Sequence, residues 1–318
     1  MAVIGTDIEQ AATLLRTGKL VAIPTETVYG LAAHAFQEPA VVSIFEAKQR
    51  PAFDPLIVHT HHINQFEQVA INIPDLAYKL AEAFMPGPVT LILPRNPQIP
   101  LLVTSGNESV GVRIPDHPLT LRLLQQLDFP LAAPSANPFG YVSPTTAQHV
   151  AQQLGDRIPY ILDGGPCRVG IESTIIQVIN DQVEVLRLGG LAIEQIETVI
   201  GKPIQHFRTS SSNPKAPGML SSHYAPRKKV VLGNIRENLK KYSPQKTGIL
   251  SFQDLYELVP PAQQFVLSPT ADTSEAARQL FAALRYLDAL PIEVILTERV
   301  PETGLGKAIN DRLTRASF

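Results

Sequence analysis

Residues 24–36 read PTETVYGLAAHAF and residues 45–59 read FEAKQRPAFDPLIVH. The apolar run Leu20-Val21-Ala22-Ile23 predicts a strand that stops at Pro24 and empties into a hydroxyl-rich turn, Thr25-Glu26-Thr27. A helix-like segment follows, and its exit delivers Lys48 and Arg50 just before Pro51. A second strand-like run, Leu56-Ile57-Val58, ends on His59. Open α/β sheets bind ligands beyond the carboxyl ends of their strands. Hydroxyls and fixed cations gathered there predict a site for an anion, and a phosphorylated nucleotide fits it.

The chain has 318 residues, 44% of them hydrophobic and 18% charged, which fits an ordinary globular protein with room for two domains. A net charge of -2 argues against a uniformly basic nucleic-acid binder. The one cysteine, Cys167, excludes a disulfide framework and a cysteine-rich zinc site, and it fits a reducing compartment. The start, MAVIGTDIEQ, reads as neither a secretory signal nor a membrane span, so a cytoplasmic location without membrane attachment is expected.

Apolar runs alternate with helical patterns along the first two-thirds. Strands are expected at 20–23, 56–59, 89–93, 109–114, 129–133, 160–163, 173–179 and 183–188. Thr6 and Glu9 have capping-box spacing, and Pro39, Pro74, Pro118 and Pro144 stand where a first helical turn tolerates proline. These features predict an open, twisted, mixed sheet with flanking helices over residues 1–200. Residues 201–227 are rich in proline and polar residues, including Thr209-Ser210-Ser211-Ser212-Asn213, and read as a linker. Strand-like runs near 230, 249, 266 and 295 and a helix through 276–284 predict a small doubly wound domain over 228–318.

The usual nucleotide signatures are missing. Gly18-Lys19, Gly201-Lys202 and Gly306-Lys307 are each followed by the wrong residue for a P-loop, so side-chain cations, hydroxyls and loop amides must hold any phosphates. Lys48 and Arg50 would also complement a helix dipole, but the adjacent hydroxyl turn and His59 favour a ligand. Ser135 lies in a polar turn, Ala133-Pro134-Ser135-Ala136-Asn137, at a strand end. Ser143-Pro144 reads as a helix cap. Gly164-Gly165 and Gly170 border a loop where glycine permits positive φ or close approach of a ligand. Arg187 is an isolated cation in an apolar run and needs a partner.

In order, PTETVYGLAAHA, IFEAKQRP, PLIVH, PGPVTLIL, VGVRIPDHP, AAPSANPFGYVSPT, ILDGG, GIESTII and VLRLGG resemble the motifs of the YrdC-like family. PGMLSSHYAP and GLGKAINDRLTRAS resemble the linker motif and closing segment of its long, two-domain form, so the similarity spans nearly the whole chain. The resemblance implies a YrdC-like sheet with a large concave cavity, followed by a Rossmann-like domain. It implies a nucleotidyltransferase that makes L-threonylcarbamoyl-AMP and pyrophosphate from L-threonine, bicarbonate and ATP. A partner enzyme complex would then pass the threonylcarbamoyl group to the adenosine beside a tRNA anticodon; direct tRNA binding is not required.

The same resemblance assigns threonine to Thr27, His59, Arg113, Ala133 and Ser173, and ATP to Lys48, Arg50, Ser109, Ser135, Ser143 and Arg187. Magnesium is implied as the nucleotide's counter-ion, with no protein ligand specified. Many relatives carry Asn-Pro-Leu where this chain has Asp54-Pro55-Leu56, so a contact between Asp54 and ATP would need the magnesium between them. His223 and Tyr224 in the linker would serve as a lid that shields a water-labile carbamate. An RNA-binding module is a second reading. A third is carbamoyl transfer from carbamoyl phosphate, but proteins of that kind carry an acylphosphatase and zinc-finger cysteines that this chain lacks.

Overall fold

The computed structural model describes residues 1–207, 216–219 and 223–317. Of the expected linker, residues 208–215 and 220–222 therefore lie outside the described residues. Eleven strands form the first sheet. Their spatial order is Val3–Gly5, Tyr160–Leu162, Val21–Ile23, Gly30–His34, Leu131–Ala132, Ile57–His59, Ser109–Arg113, Val89–Pro94, Thr174–Ile179, Gln182–Arg187 and His206–Phe207. It contains both parallel and antiparallel pairs, as expected for a mixed sheet.

Several local readings need correction. Gly30–His34 is a strand, and the helix begins only at Glu38. This strand lies deep inside the sheet and is buried along nearly all its length, so its residues show no apolar–polar alternation to distinguish it from a helix. Val3–Gly5, an edge strand, gave no strand signal. The first helix, Ile8–Arg16, is capped by Asp7, whose carboxylate accepts from the Gln10 amide, and not by Thr6. The helix expected after Pro144 is Ala147–Leu154 with Thr146 as its cap, so Ser143 is free for another task.

Four parallel strands form the second sheet, in the order Lys229–Leu232, Val294–Thr297, Thr247–Ser251 and Gln264–Val266. The helices Thr273–Ala289 and Gly306–Ala316 pack on one face around Leu250, Leu280, Phe281, Ile295 and Leu313. Ile235 and Leu239 cover the other face with Tyr256, the doubly wound arrangement. Val28, Val142, Ile171 and Tyr224 join the Leu280 and Phe281 cluster, so apolar contacts run continuously between the two sheets' domains.

Polar contacts fix the same junction. Arg285 donates to the carbonyls of Val142 and Ser143 and to the Gln153 side chain, while Tyr141 donates to Asp288 at 2.6 Å. Gly170 has φ +81°, and a Cβ there would lie 2.4 Å from the Arg278 backbone. Glycine at 170 thus admits a neighbouring helix and not a ligand.

Candidate active site

The parallel register pairs His59 with Arg113, placing both at the carboxyl ends of adjacent strands. Ile57 shares the face of His59 because strand side chains alternate, and both line a cavity with Ala133, Ser135, Ser173 and Arg187. Pro217, Gly218, His223 and Tyr224 close it from the linker. The enclosed volume is about 50 Å³. Pockets for small-molecule ligands run to roughly 300–1,000 Å³, so a ligand of nucleotide size would need the linker residues to shift.

The turn after Ile23 is built by Thr25, whose Oγ1 accepts from the amides of Thr27 and Val28 at 3.1 and 3.2 Å. That turn aims Thr27 and Glu26 at Arg113. Arg113 Nη2 donates to Thr27 Oγ1 at 2.8 Å and pairs with the buried Glu26 carboxylate at 2.8 Å, while Nε donates to the Gly87 carbonyl. The hydrogen bonds of Arg113 among the described residues use Nη2 and Nε, which leaves the Nη1 N–H groups for a ligand. Ser173 Oγ lies 2.8 Å from Thr90 Oγ1 and accepts from Arg187 Nη2 at 3.0 Å. Of the five residues assigned to threonine, His59, Arg113, Ala133 and Ser173 line the cavity, and Thr27 stands behind it on Arg113.

On the nucleotide side, Lys48 Nζ donates to the carbonyls of Ser135 and Asn137, both at 2.5 Å. Arg50 donates to the carbonyls of Asp54 and Pro55 and pairs with the Asp54 carboxylate at 2.8 Å. Arg187 holds the Ser173 carbonyl through Nε and Nη2 and reaches the Pro217 carbonyl through Nη1 at 3.1 Å. Every one of these cations is thus engaged internally. Burial, then the neighbouring Arg50 charge, holds the Lys48 ammonium well below its ordinary range, and an added anion would favour its charged form.

Ser143 donates to Glu172 Oε1 at 2.5 Å, and Glu172 Oε2 accepts from Arg312 at 3.1 and 3.2 Å. The assigned Ser143 thus reaches the site through a carboxylate that lines the cavity. Ser109 does not reach it. It stands four residues before Arg113, roughly 13 Å along the same strand, and lines a separate depression with Pro94 and Gln177. Glu26, Glu172 and Arg312 escaped the sequence reading. Nothing local marked them, since Thr25-Glu26-Thr27, Ile171-Glu172-Ser173 and Asp311-Arg312-Leu313 read as ordinary polar positions.

Two buried histidines carry a pH prediction. Burial, then the Arg113 charge, pushes His59 from 6.5 down to about 3. Burial and Arg285 push His149 from 6.5 down to about 4. Both folded values are depressed, so the neutral imidazoles stabilise the fold above 6.5 and that stability is lost as pH falls toward about 3 and about 4. The loss approaches about 1.4 kcal/mol per pH unit for buried His59 and is smaller for part-exposed His149. Melting temperature should fall between about pH 7 and pH 5, and less steeply in His149→Gln. Equal slopes would remove His149 from the account.

Residues 13–189 match the Sua5–YciO–YrdC family model, described as telomere recombination. Residues 191–317 match the model described as threonylcarbamoyl-AMP synthase, C-terminal domain. The chain belongs to the threonylcarbamoyl-AMP synthase family. The Pyrococcus abyssi threonylcarbamoyl-AMP synthase is 44% identical over 98% of this chain and 94% of its own length. The Bacillus subtilis synthase is 41% identical over 98% of this chain and 92% of its own. Among solved structures, P. abyssi Sua5 complexed with L-threonine has a TM-score of 0.91 at 41% identity, covering 100% of this chain and 97% of that one. A doubly substituted P. abyssi Sua5, with adjacent His and Tyr changed to Ala, has a TM-score of 0.90 at 40% identity, covering 100% and 96%.

Proposed function

We propose that this chain joins L-threonine, bicarbonate and ATP into L-threonylcarbamoyl-AMP and pyrophosphate. The observation that carries the reading is the strand-end cavity: Arg50, Arg113 and Arg187 line it together with His59 and Ser173, and Lys48 reaches its rim through the Ser135 carbonyl, so cations suited to a carboxylate and to phosphates stand together. A synthase of this family with the same fold is complexed with L-threonine.

Arg113 would take threonine's carboxylate on its open edge, with Thr27 and Glu26 fixing the guanidinium. The His59 imidazole lines the cavity beside Arg113 and would pack against the bound threonine. Threonine's amine adds to carbon dioxide with loss of a proton, or to bicarbonate with loss of water, and an oxygen of the resulting carbamate attacks the α-phosphorus. The bond from that phosphorus to the bridging oxygen breaks, and pyrophosphate leaves with the electron pair. Lys48, Arg50 and Arg187 would stabilise charge on the phosphates, so positioning and electrostatics do the catalysis without a protein nucleophile. The Cys167 thiol is buried and pushed up to about 12 by that burial, which fits a structural role.

Magnesium would arrive on the nucleotide. Among the described residues no three carboxylates, histidines or cysteines gather to hold an ion, and the Asp54 carboxylate is already paired. Passage of the threonylcarbamoyl group to tRNA by a separate enzyme complex, in the cytoplasm, completes the reading. No helix among the described residues is long and apolar enough to cross a membrane.

The deciding assay follows pyrophosphate and the AMP adduct together. Both should require threonine and bicarbonate, and pyrophosphate release indifferent to threonine would rule the reading out. Threonine should be used more than about tenfold better than alanine, since a site that hydrogen-bonds a hydroxyl leaves its own groups unpaired otherwise. Serine should be the nearest competitor. Equal kcat/KM for threonine and alanine would remove the hydroxyl contact.

A further inference from the structure

Asp54 stands in the loop between the helix Glu38–Lys48 and the strand Ile57–His59, and its side chain is fully buried. Among the described residues neither carboxylate oxygen receives a hydrogen bond of good geometry; the group is held by the 2.8 Å ion pair to Arg50. Lys48 and Arg187 lie within electrostatic reach of it. A buried carboxylate is costly unless something rewards it. Here it sits among the cations assigned to phosphate, where it weakens their field and engages the Arg50 edge that a phosphate would need.

We infer that Asp54 is a specificity-determining counter-anion: it lowers the site's affinity for bare polyphosphate, favours the metal-loaded nucleotide, and eases pyrophosphate out after the reaction. This rests on the reaction assigned above. The repulsion follows from charge alone. Interaction with a fixed anion scales with the ligand's own charge, so metal-free pyrophosphate is opposed more strongly than a nucleotide neutralised in part by magnesium. Arg50 must also leave Asp54 before it can hold a phosphate, which makes every anion compete with a built-in one. Asp54 acts through charge and needs no contact with the reacting atoms.

The test compares the full chain with Asp54→Asn, which keeps shape and removes charge. Calorimetry would measure binding of pyrophosphate in a chelator, and of ATP with and without magnesium. Asp54→Asn is expected to bind metal-free pyrophosphate at least tenfold tighter and magnesium-loaded ATP less than threefold tighter. Pyrophosphate should also become a stronger product inhibitor. Unchanged or weaker pyrophosphate binding by the folded variant would overturn the inference and leave Asp54 as a clamp that orients Arg50. Should the variant fail to fold, the parent decides: it must bind magnesium-loaded ATP at least tenfold tighter than metal-free ATP, and equal affinities overturn the proposal. A parent that binds neither ATP nor pyrophosphate sinks the assigned reaction as well.

Discussion

Arg50→Ala should abolish ATP-dependent adduct formation and also destabilise the fold by about 3–5 kcal/mol, because it strands a buried carboxylate. The guanidinium donates to two backbone carbonyls and pairs with Asp54, and both charged groups are buried. Loss of activity in that variant alone therefore says little about phosphate. The double variant Arg50→Gln/Asp54→Asn separates the effects, since removing both charges leaves nothing uncompensated. Most of the lost stability should return, measured by denaturant unfolding. The kcat/KM for ATP should stay down by roughly 10²–10⁴-fold, as expected for two lost charge-assisted contacts at about 1.5–3 kcal/mol each. A double variant with near-parental ATP use would take Arg50 out of the nucleotide site.

The same pair marks where sequence reasoning stops. Lys48, Arg50 and His59 could be placed at element ends because a helix exit, a proline and an apolar run bracket them; Arg50 and His59 line one cavity, and Lys48 reaches it through the Ser135 carbonyl. Strand ends are legible in this way because breakers and apolar runs are local signals. Partnerships across the fold are not. That Arg50 faces Asp54 depends on how one loop folds back, and that Glu172 joins Ser143 to Arg312 depends on the docking of a helix 140 residues away in sequence. Ser109 failed for a related reason. The resemblance supplied its role, and nothing local revealed that it sits at the far end of Arg113's own strand. Gly30–His34 failed because a buried inner strand without alternation looks like any apolar run.

His223→Ala/Tyr224→Ala should reduce recovered threonylcarbamoyl-AMP by more than about tenfold while ATP consumption persists, because the shield over a water-labile intermediate loosens. The structure gives this segment firm anchors. Tyr224 is 1% exposed, adopts φ 62°, and stacks on Phe281 with ring centroids 5.7 Å apart. The Arg312 guanidinium lies 5.1 Å from the centroid of its ring, and His223 meets it edge-on at 4.2 Å. Phe281 and Arg312 belong to the C-terminal helices, so the small domain holds down the cover of the cavity. Truncating a buried aromatic side chain costs about 3–5 kcal/mol, and here the loss falls on the contact between linker and domain. Lost packing is separable from lost chemistry. The Tyr224 hydroxyl finds no hydrogen-bond partner among the described residues, so Tyr224→Phe keeps the ring between Phe281 and Arg312 and should match the parent in stability and adduct yield. If Tyr224→Phe loses the adduct as the double alanine variant does, the hydroxyl acts in the reaction and the ring is not the anchor. If the double variant makes and retains the adduct as the parent does, residues 223 and 224 are only part of a tether.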